Sequence, residues 1–161
     1  FIETITTTNI TQTVASTKAT TLNYGNSSKQ VNIHEGEFLH NKGFQGKGIK
    51  IAVLDAGANL LSFQRMDGAE LAGPNLAVDK AYTSVTNRID TGDLRSRVAP
   101  DGDLPGMSAN GNGRYIAFAG GIPCWDGDRV VGAIGVSGGS WDEDQICAEA
   151  GIAVFKRACN A

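Results

Sequence analysis

After residue 47 the apolar positions follow two periods, and the switches between them mark the elements. Gly48-Ile49-Lys50-Ile51-Ala52-Val53-Leu54-Asp55 reads as a strand, with Ile49, Ile51 and Val53 on one face and Ala52 and Leu54 on the other. Asp55-Ala56-Gly57-Ala58-Asn59 has the composition of a tight reversal, and Leu60 to Arg65 returns as a second strand, which predicts a β-hairpin. Pro74 suits the first helical position, where its missing N–H costs nothing, and Leu76, Ala77, Val78, Ala81, Tyr82 and Val85 form an apolar stripe that predicts a helix to about Asn87. The prolines, glycines and acids of residues 90–113 predict a long loop with one short helical turn at 92–98.

Three further strands are predicted at Arg114–Ala119, Ile122–Trp125 and Arg129–Val136, the last two paired antiparallel across Asp126-Gly127. Alternation in the last of these puts Val130, Ile134 and Val136 on one face and Val131, Ala133 and Gly135 on the other. The second face is nearly bare, so either a helix backbone or a flat ligand must approach it closely. Ser140 and Glu143 have capping-box spacing and open a helix from about Trp141 to Arg157, with Ile146, Cys147, Ala150, Val154 and Ala158 as a narrow docking stripe. Two strand pairs are joined by turns too short for crossover helices. The expected fold class is therefore α+β: a single, mainly antiparallel sheet of about five strands flanked by helices.

Residues 1–30 behave differently. Threonine supplies nine of the first 21 positions and no apolar stripe is present, so a Thr-rich N-terminal arm is expected over 1–47 and the folded α+β domain over 48–161. Val31, Ile33, Phe38, Leu39 and Phe44 suit a short helix or a strand equally.

The chain's 161 residues are enough for one core. Its 14 basic side chains are scattered and outnumbered by 17 acids, giving a net charge of -3 and arguing against nucleic acid as a partner. No apolar run reaches the length of a membrane span, so a membrane partner is not expected either. Cys124, Cys147 and Cys159 are too few and too far apart for a disulfide scaffold, which favours a reducing, cytoplasmic setting. Two glycosylation acceptor patterns, at Asn9 and Asn26, leave secretion open.

Candidate chemistry is sparse. His34 and His40 are the only histidines, and their spacing of six puts them on different helical faces, so no metal site is assigned. Cys124 and Cys147 fall on a strand and an apolar helical stripe, the settings of inert thiols. Gly138-Gly139-Ser140 precedes a helix, but the acids at 142–144 already complement its dipole, so capping is favoured there over anion binding. Arg65 is more informative, since its planar fork suits a carboxylate; the alternative is that Asp67 or Asp55 neutralises it. Lys80 adds a second cation or extends into water.

Taken in order, several phrases resemble the GlcG/HbpS haem-binding family, which includes the C-terminal domain of PduO. They are Ile51-Ala52-Val53-Leu54-Asp55-Ala56-Gly57, Leu60 to Ala69, Lys80-Ala81-Tyr82-Thr83, Gly120-Gly121-Ile122-Pro123, Asp126-Gly127, Val131 to Gly139, and Asp144 with Ala148-Glu149-Ala150-Gly151. The resemblance covers about 48–155. Where relatives commonly read Asp-Ala-Gly-Gly-His, this chain reads Asp55-Ala56-Gly57-Ala58-Asn59.

The resemblance implies a sheet flanked by helices, a homo-oligomer (dimer or larger) and a small-molecule ligand. The cofactor stays open, with haem as the named candidate. A pocket is expected near Arg65, Lys80, Tyr82 and the Gly120–Pro123 segment, so Gly121 and Pro123 join the candidate cofactor-binding residues. For haem, His34 or His40 would ligate iron, Arg65 or Lys80 would meet propionates, and Tyr82 and Met107 are fallback ligands. Two alternatives stand beside this. One is an enzyme acting on a small organic acid or carbonyl compound, with Arg65 holding the carboxylate and Asp55 or Tyr82 moving a proton; the other is a scaffold without a ligand.

Overall fold

The computed structural model describes residues 47–71 and 74–159. The expected N-terminal arm, and with it His34 and His40, lies outside the described residues. Four strands are present among them: β1 (Lys50–Asp55), β2 (Leu60–Arg65), β3 (Gly121–Asp126) and β4 (Arg129–Ser137). They form one antiparallel sheet in the order β2-β1-β4-β3. The helices are α1 (Pro74–Asn87), the short α2 (Leu94–Arg97) and α3 (Trp141–Cys159). Helix, sheet and helix thus form three layers, in agreement with the expected α+β class.

Each sheet face has its own core. Ala52, Leu54 and Ala133 meet Ala77, Ala81 and Val85 of α1 on one side. Ile122, Cys124, Ile134 and Val136 meet Ala148 and Ile152 of α3 on the other, with Ile49, Ile51 and Val53 packed beside them. The bare face of β4 is filled by helix backbone and not by a ligand. A Cβ built on Gly135 would run into the Ala77 carbonyl and come within 2.7 Å of the Ala81 nitrogen, so only glycine lets α1 lie this close.

Three expectations are corrected. Residues 114–119 are not a strand. Their polar groups are held sideways: the Ile116 N–H donates to Thr83 Oγ1 (2.9 Å), whose own proton goes to the Asp79 carbonyl (2.7 Å) with the Arg114 carbonyl farther off at 3.2 Å, and Thr91 Oγ1 donates to the Phe118 carbonyl (2.8 Å). Alternation in β4 also fails at its start. A register shift between Cys124 and Trp125 leaves Val131 unpaired, so Val131 packs with the α3-side core and Val130 with the α1-side core, each opposite to strict alternation.

The docking stripe of α3 is rotated from the expected one. Asp144, Ala148 and Ile152 are buried, while Ile146 is 45% exposed. The cause is a carboxylate: Asp144 is fixed inward by its partners, and the apolar residues in phase with it follow. The capping box forms as expected, with the Ser140 N–H donating to Glu143 Oε2 (2.8 Å) and the Glu143 N–H to Ser140 Oγ (3.4 Å).

Candidate functional site

The two ends of the sheet carry different chemistry. At one end, Lys50 opens β1 opposite Arg65 on β2 and Ser137 on β4. Beyond Arg65 the chain turns at Met66-Asp67-Gly68-Ala69, closed by the Ala69 N–H donating to the Met66 carbonyl (3.1 Å) with Gly68 at φ 74°. The Met66 N–H donates to the Ile49 carbonyl and the Gly48 N–H to the Asp67 carbonyl, both at 3.0 Å, which anchors the turn to the start of β1. A hollow of about 310 Å³ sits here, lined by Lys47, Met66, Asp67 and Gly68.

Arg65 is exposed, and one of its terminal nitrogens donates to the Ala69 carbonyl. Neither Asp67 nor Asp55 forms an ion pair with it among the described residues. Next to it the whole of β2 is exposed, including Leu60 (53%), Leu61 (66%) and Phe63 (37%), an unusual amount of apolar surface for one strand.

Lys80 is corrected. It carries no free charge into a hollow: it is completely buried, and its Nζ donates to Asp144 Oδ2 (2.7 Å) and the Val136 carbonyl (2.8 Å), 5.0 Å from the centre of the Phe118 ring. Burial pushes its ammonium below the ordinary lysine value, opposed by the hydrogen bond and charge of Asp144. Asp144 Oδ1 also accepts from the Gly139 N–H (2.9 Å). The pair therefore ties α1 on one face of the sheet to α3 on the other.

Gly121 and Pro123 are buried in β3. The Gly121 N–H donates to Thr91 Oγ1 and its carbonyl accepts from the Thr91 N–H, both at 2.9 Å, and a Cβ there would stand 2.5 Å from the Lys80 carbonyl, so the missing side chain lets α1 approach. Asp55 is separated from Arg65. It ends β1, about 17 Å along the strand from Lys50 at ~3.4 Å per residue. There its Oδ1 accepts from the N–H groups of Gly57 (2.9 Å) and Asn59 (2.8 Å). Those bonds, the Asn59 backbone bond first, hold its carboxyl below the ordinary value; it is a turn former and not a base beside Arg65. The Tyr82 ring lies 3.7 Å beneath the Arg114 guanidinium, and Met107 is half-buried in a single 3₁₀ turn.

Lys50 was missed by the sequence reading. It is 1% exposed, and its Nζ makes one long contact, 3.4 Å, with the Glu70 carbonyl. The signal was present: Lys50 is in phase with Ala52 and Leu54, so a charged residue occupied an inward position of an alternating strand. Among the described residues, no group of three or more His, Cys, Asp or Glu side chains could hold a metal ion, and no helix is long and apolar enough to cross a membrane.

A family model described as haem degrading protein HbpS-like matches residues 36–153. The chain belongs to this HbpS-like family. Among curated relatives, it is 35% identical over 107 residues to an uncharacterized 15.0 kDa protein of the dhaT-dhaS intergenic region of Citrobacter freundii, a match covering 66% of this chain and 75% of the relative. It is 34% identical to the corrinoid adenosyltransferase PduO of the same organism, over 66% of this chain but only 32% of PduO, so it spans about a third of that protein.

Several solved structures share this fold. Klebsiella pneumoniae ORFY matches with a TM-score of 0.70 at 27% identity, covering 90% of this chain and 97% of that one. A PduOC–haem complex matches with a TM-score of 0.69 at 26% identity, covering 80% and 93%. HbpS itself gives 0.64 at 28% identity, covering 87% and 94%.

Proposed function

We propose that this HbpS-like protein binds a flat, anionic small molecule, with haem as the first candidate, at the sheet end formed by Lys47, Arg65 and Met66. The observation that carries the reading is the juxtaposition there of exposed apolar strand and unpaired cations. Phe63, two positions before Arg65 in β2, supplies exposed apolar area at this end, and neither Lys47 nor Arg65 makes an ion pair among the described residues. Lys50 adds a buried positive charge just behind them.

These residues fit such a group. A porphyrin would need apolar contact for its ring, cations for its propionates and a ligand for iron. The first two are present, although Asp67 lines the same hollow and limits its net charge. For the third, half-buried Met66 lines the hollow, and His40 lies seven positions before Lys47 in the chain. When bound, the group would supply redox or ligand-binding chemistry; the chain's part is to hold and orient it. The relatives support the reading, since one family structure is a haem complex.

Acid–base catalysis draws no comparable support, because Asp55 stands at the far end of β1 and Arg114 covers Tyr82. The expected homo-oligomer forms part of the proposal: β2 is an edge strand, and at its end away from Arg65 Leu60 and Leu61 are exposed, the surface a second copy would cover.

Haem titration followed at the Soret band tests the reading. A saturable shift is expected, and substitution of one of His34, His40 or Met66 by alanine should abolish or displace it. A band that never develops, or one indifferent to all three substitutions, defeats the haem version.

A further inference from the structure

A second hollow, of about 380 Å³, shares no lining residue with the first; it lies against α1 and is bordered by Asn75, Val78, Asp79, Asn112, Gly113 and Arg114. Its centrepiece is a guanidinium held on two sides. Arg114 Nε donates to Asp79 Oδ1 at 2.9 Å, and the guanidinium carbon stands 3.7 Å from the centre of the Tyr82 ring. Tyr82 is backed in turn by Tyr115, with ring centres 6.0 Å apart and planes 26° apart. The backbone just beyond Arg114 is pinned as well, since the Ile116 N–H donates to Thr83 Oγ1 at 2.9 Å. The orientation of the fork is therefore set before any ligand arrives.

What these contacts leave over is the terminal edge of the fork. The two Nη groups of Arg114 donate to no acceptor among the described residues, and its side chain is 41% exposed. Beside it, Gly111, Asn112 and Gly113 all take left-handed backbone at φ 59°, 58° and 77°, which glycine and asparagine tolerate better than other residues. The first turn of α1 contains no acid to compete for its positive end. Asp79 neutralises one unit of charge, which disfavours ligands carrying several negative charges.

We propose that this hollow binds a small monocarboxylate, with the carboxylate on the Nη edge of Arg114 and a neighbouring hydroxyl or carbonyl on the amides of Asn75 and Asn112. Geometry selects the class: a planar fork matches the two oxygens of a carboxylate. The site is independent of the haem reading, and either one stands if the other fails.

Lactate, succinate and inorganic phosphate titrated into uniformly ¹⁵N-labelled protein, followed by amide and Arg Nε shifts, form the test. Lactate should saturate and shift Asn75, Asn112, Gly113 and the Arg114 Nε, with succinate and phosphate at least about tenfold weaker. Arg114→Lys, which keeps the charge and loses the fork, should weaken lactate by about tenfold or more while leaving haem binding unchanged. Should that variant unfold, Asn75→Ala at an exposed position leaves the Arg114–Asp79 pair intact and should still weaken lactate several-fold. Absence of saturable shifts, equal binding of all three anions, or lactate affinity unmoved by the substitutions in a folded protein overturns the proposal.

Discussion

At Lys50 and Lys80 two ammonium groups are removed from water, and among the described residues only one carboxylate, Asp144, is paired with either of them. Removing that carboxylate would strand Lys80 in a site where burial already disfavours its charge. Asp144→Ala should therefore destabilise the fold by about 3–5 kcal/mol in urea unfolding. Joint replacement, Lys80→Met with Asp144→Leu, should recover much of this; a single-variant loss below about 1 kcal/mol, the range of surface pairs, would refute the structural role given to the pair.

The Asp55 carboxyl, held down by the Asn59 N–H, makes a prediction of opposite character. Its folded pKa is depressed, so its contribution to stability is complete above the ordinary 3.8 and is lost as pH falls through the lower folded value. A carboxyl carbon titration should give a midpoint below 3.8, moving upward in Asn59→Ala, which deletes one of the donors. A midpoint at or above 3.8 would show that the turn does not use the ionised form.

At the level of elements, the strands, helices and turns that follow from local chemistry were legible in advance. Pro74 opens α1, Ser140 and Glu143 cap α3, and Asp126 with Gly127 closes the β3–β4 turn. What escaped was set by partners distant in sequence. The β-rich composition of residues 114–119 suggests a strand, but Thr83 and Thr91, hydroxyls on other segments, take the Ile116 N–H and the Phe118 carbonyl. The face of α3 departs from its apolar stripe for a similar reason, since an apolar count cannot anticipate that Asp144 turns inward to meet Lys80.

The glycine-lined face of β4 is a place of close approach, as its composition implies, and it carries a prediction of its own. Gly135→Ala should cost about 1–3 kcal/mol or more, because the backbone of α1 cannot rotate out of the way. Gly92→Ala, where the nearest neighbour of an added Cβ is the Ala119 methyl at 3.4 Å, should cost clearly less. Equal losses at the two positions would mean that α1 does not rest on the sheet as described.

For the whole molecule, the sequence pointed to Arg65 and Lys80 as joint owners of a hollow. The structure separates them: Lys80 is a tie between layers, and Arg65 remains at the surface beside the Lys47–Gly68 hollow. That division follows from burial, a property of the assembled sheet that no local motif encodes. Function then depends on whether the exposed strand β2 and its cationic end receive a ligand. The most direct measurement is haem affinity in Arg65→Glu beside wild type and Arg65→Lys, with urea midpoints recorded for all three. Charge reversal should weaken haem by about tenfold or more at an unchanged midpoint, and the lysine variant should lie between. Equal affinity in all three would contradict the placement of the ligand at this end of the sheet.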